Sequence, residues 1–173
     1  MVIRQAAAAD LDAVERIYDA VHTEEEAGRT SIGWIRGIYP TRETAEEALA
    51  LGSLYVLEDE GQILATAKID QTQVDVYALA DWSIPAEDGE VLVLHTLVVD
   101  PAAFRRGLGR AFVEFYEQEA RRRGCRVLRI DTNEKNLAAR RFYAGLGFRE
   151  VGVIPCVFNG LRDIMLLCLE KAV

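Results

Sequence analysis

Three arginines and two glycines stand together in Arg105-Arg106-Gly107-Leu108-Gly109-Arg110, just after the β-branched run Leu97-Val98-Val99-Asp100-Pro101. That order reads as a strand, a short turn and a glycine-rich loop opening a helix. The first N–H groups of a helix have no intrahelical acceptor, and the aligned peptide dipoles favour a phosphate there. The chemistry implied is anion binding, with positive charge placed locally in a chain whose formal charge is -8. The loop is not a dinucleotide fingerprint, because Phe112 stands where a third glycine belongs, and no Lys-Ser or Lys-Thr pair follows as in a nucleotide P-loop. On the glycines alone, a turn that only tightens a strand-to-helix junction is the alternative.

A second segment, Asn136-Leu137-Ala138-Ala139-Arg140-Arg141-Phe142-Tyr143-Ala144-Gly145-Leu146-Gly147-Phe148, narrows the choice. Asn136 and Tyr143 lie seven residues apart, about two helical turns, and so share a face. A phenol with a pKa near ~10 is protonated at neutral pH and can donate to a departing thiolate. An aromatic stripe of Phe142 and Tyr143 facing the core is the plainer reading. Together the two blocks resemble the two main motifs of the GNAT acetyltransferases, which use acetyl-coenzyme A. The family's loop pattern is Gln or Arg, two residues, Gly, any residue, then Gly or Ala. It falls on Phe104 to Gly109, with Phe104 departing at the first position. The second motif is met without a gap by Asn136, Ala139, Tyr143, Gly147 and Phe148. The match covers the C-terminal half, and the N-terminal half resembles the family in element order.

The resemblance implies an acetyl-CoA site. The main chains of Leu97 and Val99 would pair with the pantetheine arm, and the oxyanion would sit near the amide of Val98 or Val99. The amides of Arg105, Arg106, Gly107, Leu108, Gly109 and Arg110 would hold the pyrophosphate. Asn136 would cap the next helix and contact the cofactor beside Ala139, and Tyr143 would be the acid. His95 matches a histidine that arylalkylamine N-acetyltransferases carry on the same strand, and an imidazole near pKa ~6.5 suits an amine's proton. A histidine hydrogen-bonded inside an apolar strand is the competing reading. Strand alternation gives His95, Leu97 and Val99 one facing until a bulge intervenes. His22, Trp34 and Tyr39, with Glu24, Glu25 and Glu26, fall in the segment that walls the acceptor in this fold, and Trp82 falls in the insertion before the fourth strand. The implied reaction is acetyl transfer to the amine of a small molecule by direct attack in a ternary complex. Protein or peptide acetylation, or a non-catalytic acyl-CoA-binding module, are the alternatives.

Composition fits this reading. A length of 173 residues and a hydrophobic share of 50% describe one globular domain over residues 1–173, with no need of a staple. The acidic balance argues against nucleic acid as a partner, and no apolar run reaches the length of a membrane span. Met1-Val2-Ile3-Arg4 lacks the apolar core of a signal peptide, so a cytoplasmic location is expected. Cys125, Cys156 and Cys168 are odd in number and have no metal-ligand spacing, so no disulfide and no metal are expected. A second copy of the chain, in a homodimer, is an open expectation. The run Arg121-Arg122-Arg123 before Gly124 reads as the end of a helix.

The elements that must position these groups follow from periodicity and punctuation. A first strand spans Val2 to Arg4, and Asp10 caps a helix with apolar positions Leu11, Val14, Tyr18 and Val21. A second helix opens at Pro40-Thr41 and ends at Gly52. Leu54 to Glu58 and Ile63 to Ile69 form a hairpin through Glu60-Gly61. Val74 to Tyr77 could extend a strand. Val91 to Val99 is a long strand, Leu108 to Arg123 a helix, Val127 to Asp131 a buried strand, and Asn136 to Leu146 a helix ending at Gly147. Phe148 to Phe158 pairs with Asp163 to Leu169 through Asn159-Gly160. The fold class expected is α/β, a GNAT-like domain. Its central sheet is mixed and mostly antiparallel, splayed between the fourth and fifth strands and flanked by helices.

Overall fold

The computed structural model describes residues 1–173. In chain order the elements are β1 (Val2–Gln5), α1 (Leu11–Glu26), α2 (Arg42–Ala50), β2 (Leu54–Asp59), β3 (Gln62–Asp70), β4 (Val91–Val99), α3 (Leu108–Arg123), β5 (Val127–Asn133), α4 (Leu137–Ala144), β6 (Arg149–Phe158) and β7 (Leu161–Ala172). The strands form one seven-stranded sheet in the order β1-β2-β3-β4-β5-β7-β6. Only β4 and β5 run parallel, and the remaining pairs are antiparallel. The parallel pair sits where the sequence is most continuously apolar, as strands covered on both faces require.

Residues along β4 alternate between two cores. Leu92 and Leu94 pack with Leu128 and Ile130 of β5 against Phe112, Val113 and Tyr116 of α3. Val91 and Val93 face the other way, under a cover built around Tyr77. That second face is shared, because α1 and α2 lie over β2 and β3 with Val14, Ile17 and Ala45 buried. α3 starts at Gly107 and stops at Gly124, both at positive φ (77° and 74°), which glycine adopts without a Cβ penalty. Its final arginines pair within the helix: Arg121 with Glu117, and Arg122 and Arg123 with the buried Glu119. The arginine run is therefore a helix end.

Three local expectations are corrected. Asp10 does not cap α1. Its carboxylate accepts the Ala7 N–H at 2.7 Å and two guanidinium hydrogen bonds from Arg4, tying the first strand to the start of the helix. Val74 to Tyr77 does not extend a strand, since Asp75–Leu79 is a 3-10 turn. Tyr77 is buried there and its hydroxyl donates to Asp131 at 2.7 Å, so the 71–90 segment covers the sheet rather than pairing with it. The last helix is also shorter than periodicity suggests, closing at Gly145. No helix is long and apolar enough to cross a membrane.

Tyr116 fastens the parallel pair. Its hydroxyl lies 2.5 Å from the Leu92 carbonyl on β4 and 3.1 Å from the Arg129 carbonyl on β5, at zero exposure. Removing it leaves buried carbonyls without that donor, at a cost of about 1–3 kcal/mol. Tyr116→Phe should therefore lower unfolding free energy by that amount in urea titration without changing the slope, since the fold and its packing persist.

Candidate active site

β4 and β5 are paired only from Val91 opposite Val127 to Leu94 opposite Ile130. Beyond that point they part. The cause is local to Thr96, a β-branched residue at φ 51°, where the register against β3 slips by one residue. A left-handed conformation at such a residue costs about 1–3 kcal/mol and persists only where its surroundings hold it. Here the Tyr39 and Thr96 hydroxyls are hydrogen-bonded to one another. The bulge also reverses the alternation, so His95 does not share a facing with Leu97 and Val99. Those two side chains turn to the α3 face, while Val98 packs beneath α1. The Asp100 N–H bonds the Leu64 carbonyl. By antiparallel alternation the Val98 main chain then faces β3, and the main chains of Leu97 and Val99 face the gap left by β5. Of the two amides expected to serve an oxyanion, only that of Val99 is turned toward the gap.

The gap is a cavity of about 620 Å³. At one end lies the loop before α3. The first intrahelical donor is Ala111, bonded to the Gly107 carbonyl at 3.0 Å, and the amides of Leu108, Gly109 and Arg110 have no main-chain acceptor. Gly107 supplies no capping side chain, so these donors remain for a ligand. A Cβ on Gly109 would stand 3.3 Å from Phe142 of α4, a measure of how closely the two helices flank the cavity. Arg105 and Arg110 line it. Arg106 does not, because its guanidinium is paired with Asp59 at 2.5 Å; only its main chain stays with the loop, which corrects the expectation for its side chain. Asn136 caps α4 through the Ala139 N–H at 3.1 Å and lines the cavity with Ala139 and Tyr143. Burial, with the nearby charge of Asp131, holds the Tyr143 phenol in its protonated form by raising its pKa. Its ring packs edge-on to Phe148 at 5.7 Å, so it is both core aromatic and cavity wall.

Near the bulge sit the titratable groups. His95 Nε2 is 3.2 Å from the Thr72 carbonyl and 3.4 Å from Asp70 Oδ1. Both partners only accept, so Nε2 carries the hydrogen and Nδ1 is the basic nitrogen. Burial raises the Asp70 pKa, but hydrogen bonds from His95 and the Thr72 N–H, with the charge of Lys68, outweigh it and bring it to about 2. Asp131 lies across the splay on β5, one residue beyond the last pair with β4. Its Oδ2 accepts the Tyr77 hydroxyl, and burial raises its pKa, partly opposed by His95 and by that hydrogen bond. Burial likewise pushes the Tyr39 phenol up to about 12.

Of the expected acceptor wall, Trp34 and Tyr39 line the cavity, with ring centroids 5.8 Å apart and nearly perpendicular. His22 and Trp82 do not. His22 is buried beneath the chain before α2, with Nε2 on the Pro40 carbonyl at 2.9 Å. Trp82 donates to the Tyr77 carbonyl and carries the Arg129 guanidinium 4.1 Å above its ring, on the far part of the sheet. The acidic run on α1 is consumed in pairing. Glu24 holds Arg29 and Glu26 holds Arg36. Glu25 accepts from Thr30 and from the amides of Ile32 and Gly33, shaping the loop that roofs the cavity. No cysteine lines the cavity, and burial first of all raises the Cys168 thiol to about 12.

Asp131 and Asp70 were not singled out in the sequence. Asp131 had a signal, an acid closing the otherwise apolar end of a parallel strand. Asp70 had none, since its partner is set by the register of β3 on β4.

Because its folded pKa is depressed from 3.8 to about 2, Asp70 contributes stability above pH 3.8 that is lost as pH falls through 2. The melting temperature of Asp70→Asn should lie below that of the wild type at neutral pH. The gap should close between pH 4 and pH 2 in a melting series, within the window set by the ordinary value of 3.8 and the folded value of about 2.

Residues 14–148 match the family model described as the acetyltransferase (GNAT) family. The ribosomal protein bS18-alanine N-acetyltransferase of Escherichia coli is 38% identical over 79 residues, 44% of this chain and 53% of that protein. The chain thus spans about half the length or less of curated relatives matched in this way. An uncharacterised N-acetyltransferase of Methanocaldococcus jannaschii is 26% identical over 99% of this chain and 92% of its own. Among solved structures, a GNAT-family acetyltransferase of Streptococcus agalactiae superposes with a TM-score of 0.83 at 21% identity, covering 99% of this chain and 95% of that one. That likeness is one of fold.

Proposed function

Because the chain belongs to the GNAT family of acetyltransferases, we propose that it takes acetyl-CoA and acetylates the amine of a small molecule by direct attack in a ternary complex. The observation that carries this reading is the free edge of β4. The main chains of Leu97 and Val99 turn into a cavity that ends at the uncapped amides of α3, beside two arginines that have no ion-pair partner. A strand edge and a helix N-terminus in line suit an extended arm ending in a pyrophosphate. When bound, acetyl-CoA supplies an activated acyl thioester.

The chain's own groups divide the remaining work. Leu97 and Val99 hold the arm by main-chain hydrogen bonds, and the Val99 N–H is aimed where negative charge collects on the acyl oxygen. His95 accepts the amine's proton at Nδ1, its ring oriented from behind by Asp70. Tyr143, kept protonated by burial, donates to the departing sulfur. Asn136 fixes the start of α4 and so the height of Tyr143 in the wall.

A protein N-terminus is the second reading, supported by what the Escherichia coli relative is named for. The roof over the acceptor end favours the small molecule. The loop between α1 and α2 comes down so far that a Cβ on Gly33 would collide with the Asn133 side chain of β5.

Acetyl-CoA should raise the melting temperature, by about 2.7 kcal/mol of added stability at a hundredfold excess over Kd. Gly109→Asp places a carboxylate among the anion-binding amides, so the variant should melt as a folded protein but show no such shift. Tyr143→Phe should keep the shift and lower kcat by about 10²–10⁴-fold, read as thiol release once an accepted amine is in hand.

A further inference from the structure

The charges in the cavity are sorted by end. Its unpaired cations, Arg105 and Arg110, stand at the anion loop. The opposite end, between the α1–α2 loop and the β6–β7 hairpin, has none. There the wall consists of Trp34, Tyr39, Phe158, Leu161, Ile164 and Leu166. Arg29 and Arg36, the nearest arginines in sequence, are held by Glu24 and by Asp19 and Glu26. Glu24 is thereby neutralised. Asp131 is not. Its Oδ2 accepts from Tyr77, no protein donor reaches its Oδ1, and no cationic group lies within ion-pair distance. With its Oδ1 open to the cavity and no counter-charge supplied by the protein, the Asp131 carboxylate is placed to accept charge-assisted hydrogen bonds from a ligand cation.

We propose that the acceptor is an apolar primary amine bearing no acidic group, its ammonium received by Asp131 and its body laid against the aromatic and aliphatic wall. This rests on the acetyl-transfer reading above and adds the substrate class. An amino acid would bring a carboxylate to an end of the cavity with no cation to receive it, against the charge of Asp131. A peptide would carry the N–H and C=O of its first amide into the apolar wall, where each polar group left unpaired costs free energy. The roof reinforces this, because Ile38 of the loop lies against the β6–β7 turn, where a Cβ on Gly160 would meet it at 3.2 Å. The two walls therefore touch above the site.

The test is calorimetric titration of the full chain saturated with CoA, which permits binding without turnover. The probes are phenylethylamine, phenylethanol, phenylalanine and trialanine. Phenylethylamine should bind at least about tenfold more tightly than each of the others, the expectation for a charge-assisted hydrogen bond that only it can make without an opposing group. Asp131→Asn should lose about tenfold for phenylethylamine while the variant still takes up CoA, the sign that it is folded. Equal binding of phenylethanol, or tighter binding of phenylalanine or trialanine, would overturn the proposal in the wild type alone. The activity reading is judged separately, by thiol release from acetyl-CoA. Phenylethylamine that binds selectively but releases no thiol would keep the amine site and sink the transferase. Release with phenylalanine or trialanine only would do the reverse.

Discussion

Everything in the cavity depends on β4 ceasing to pair with β5 after Leu94. Had the parallel ladder continued, the main chains of Leu97 and Val99 would be satisfied by β5, and the space between the strands would be packed like the rest of the sheet. The left-handed turn at Thr96 prevents this, and the hydroxyl pair with Tyr39 ties it to the loop on the other side of the site. Below the break, the Tyr116 hydroxyl on the two strand carbonyls keeps the pair closed. The strand is thus fastened at one point and released at the next. The same residue shift that frees the main chain also sends His95 to the face opposite Leu97, where Asp70 and Thr72 can orient it.

The second organising feature is electrostatic. The chain is acidic overall, and eleven of its seventeen arginines are used up in ion pairs. The two left unpaired at the cavity are those beside the uncapped helix start, where helix dipole and free amides act in the same direction. At the other end an unpaired carboxylate stands among aromatic and aliphatic side chains. The cavity is in effect polarised, with unpaired cations at one end and an unpaired carboxylate at the other, and on the proposed reading the reacting centre lies between them.

Much of this was legible in the sequence, for a physical reason. β4 and α3 coincide with their expected bounds because a continuous apolar run and a pair of flanking glycines are local signals. The glycine-flanked start of α3 and the shared facing of Asn136 and Tyr143 were legible because turn glycines are local signals and helix geometry fixes what seven residues span. The failures share the opposite property. The facing of His95 depended on a one-residue bulge, whose position no local pattern in this run announces. Asp70 reached His95 through cross-strand register. Trp82 looked free to wall a site because its segment is polar and irregular, but Arg129 and the Tyr77 carbonyl had already claimed it. His22 lies on the buried face of α1, in step with Tyr18, and is spent on the Pro40 carbonyl.

The acceptor end gathers most of these failures, and its construction explains why. The end proposed for the cofactor is built from backbone, so its requirements fall on few residue types: glycine where the chain needs it, an asparagine cap, a tyrosine in a helix. The acceptor end is built from side chains delivered by distant segments, the α1–α2 loop, β5 and the β6–β7 hairpin, which meet only in the folded state. Glu25 illustrates the difference. In the sequence it is one of three consecutive acids at a helix end. In the fold it holds Thr30, Ile32 and Gly33 and so sets the height of the roof over Asp131. On the proposed reading, a residue that lies outside the amine site would govern which amine enters, through the closeness with which Gly33 approaches Asn133.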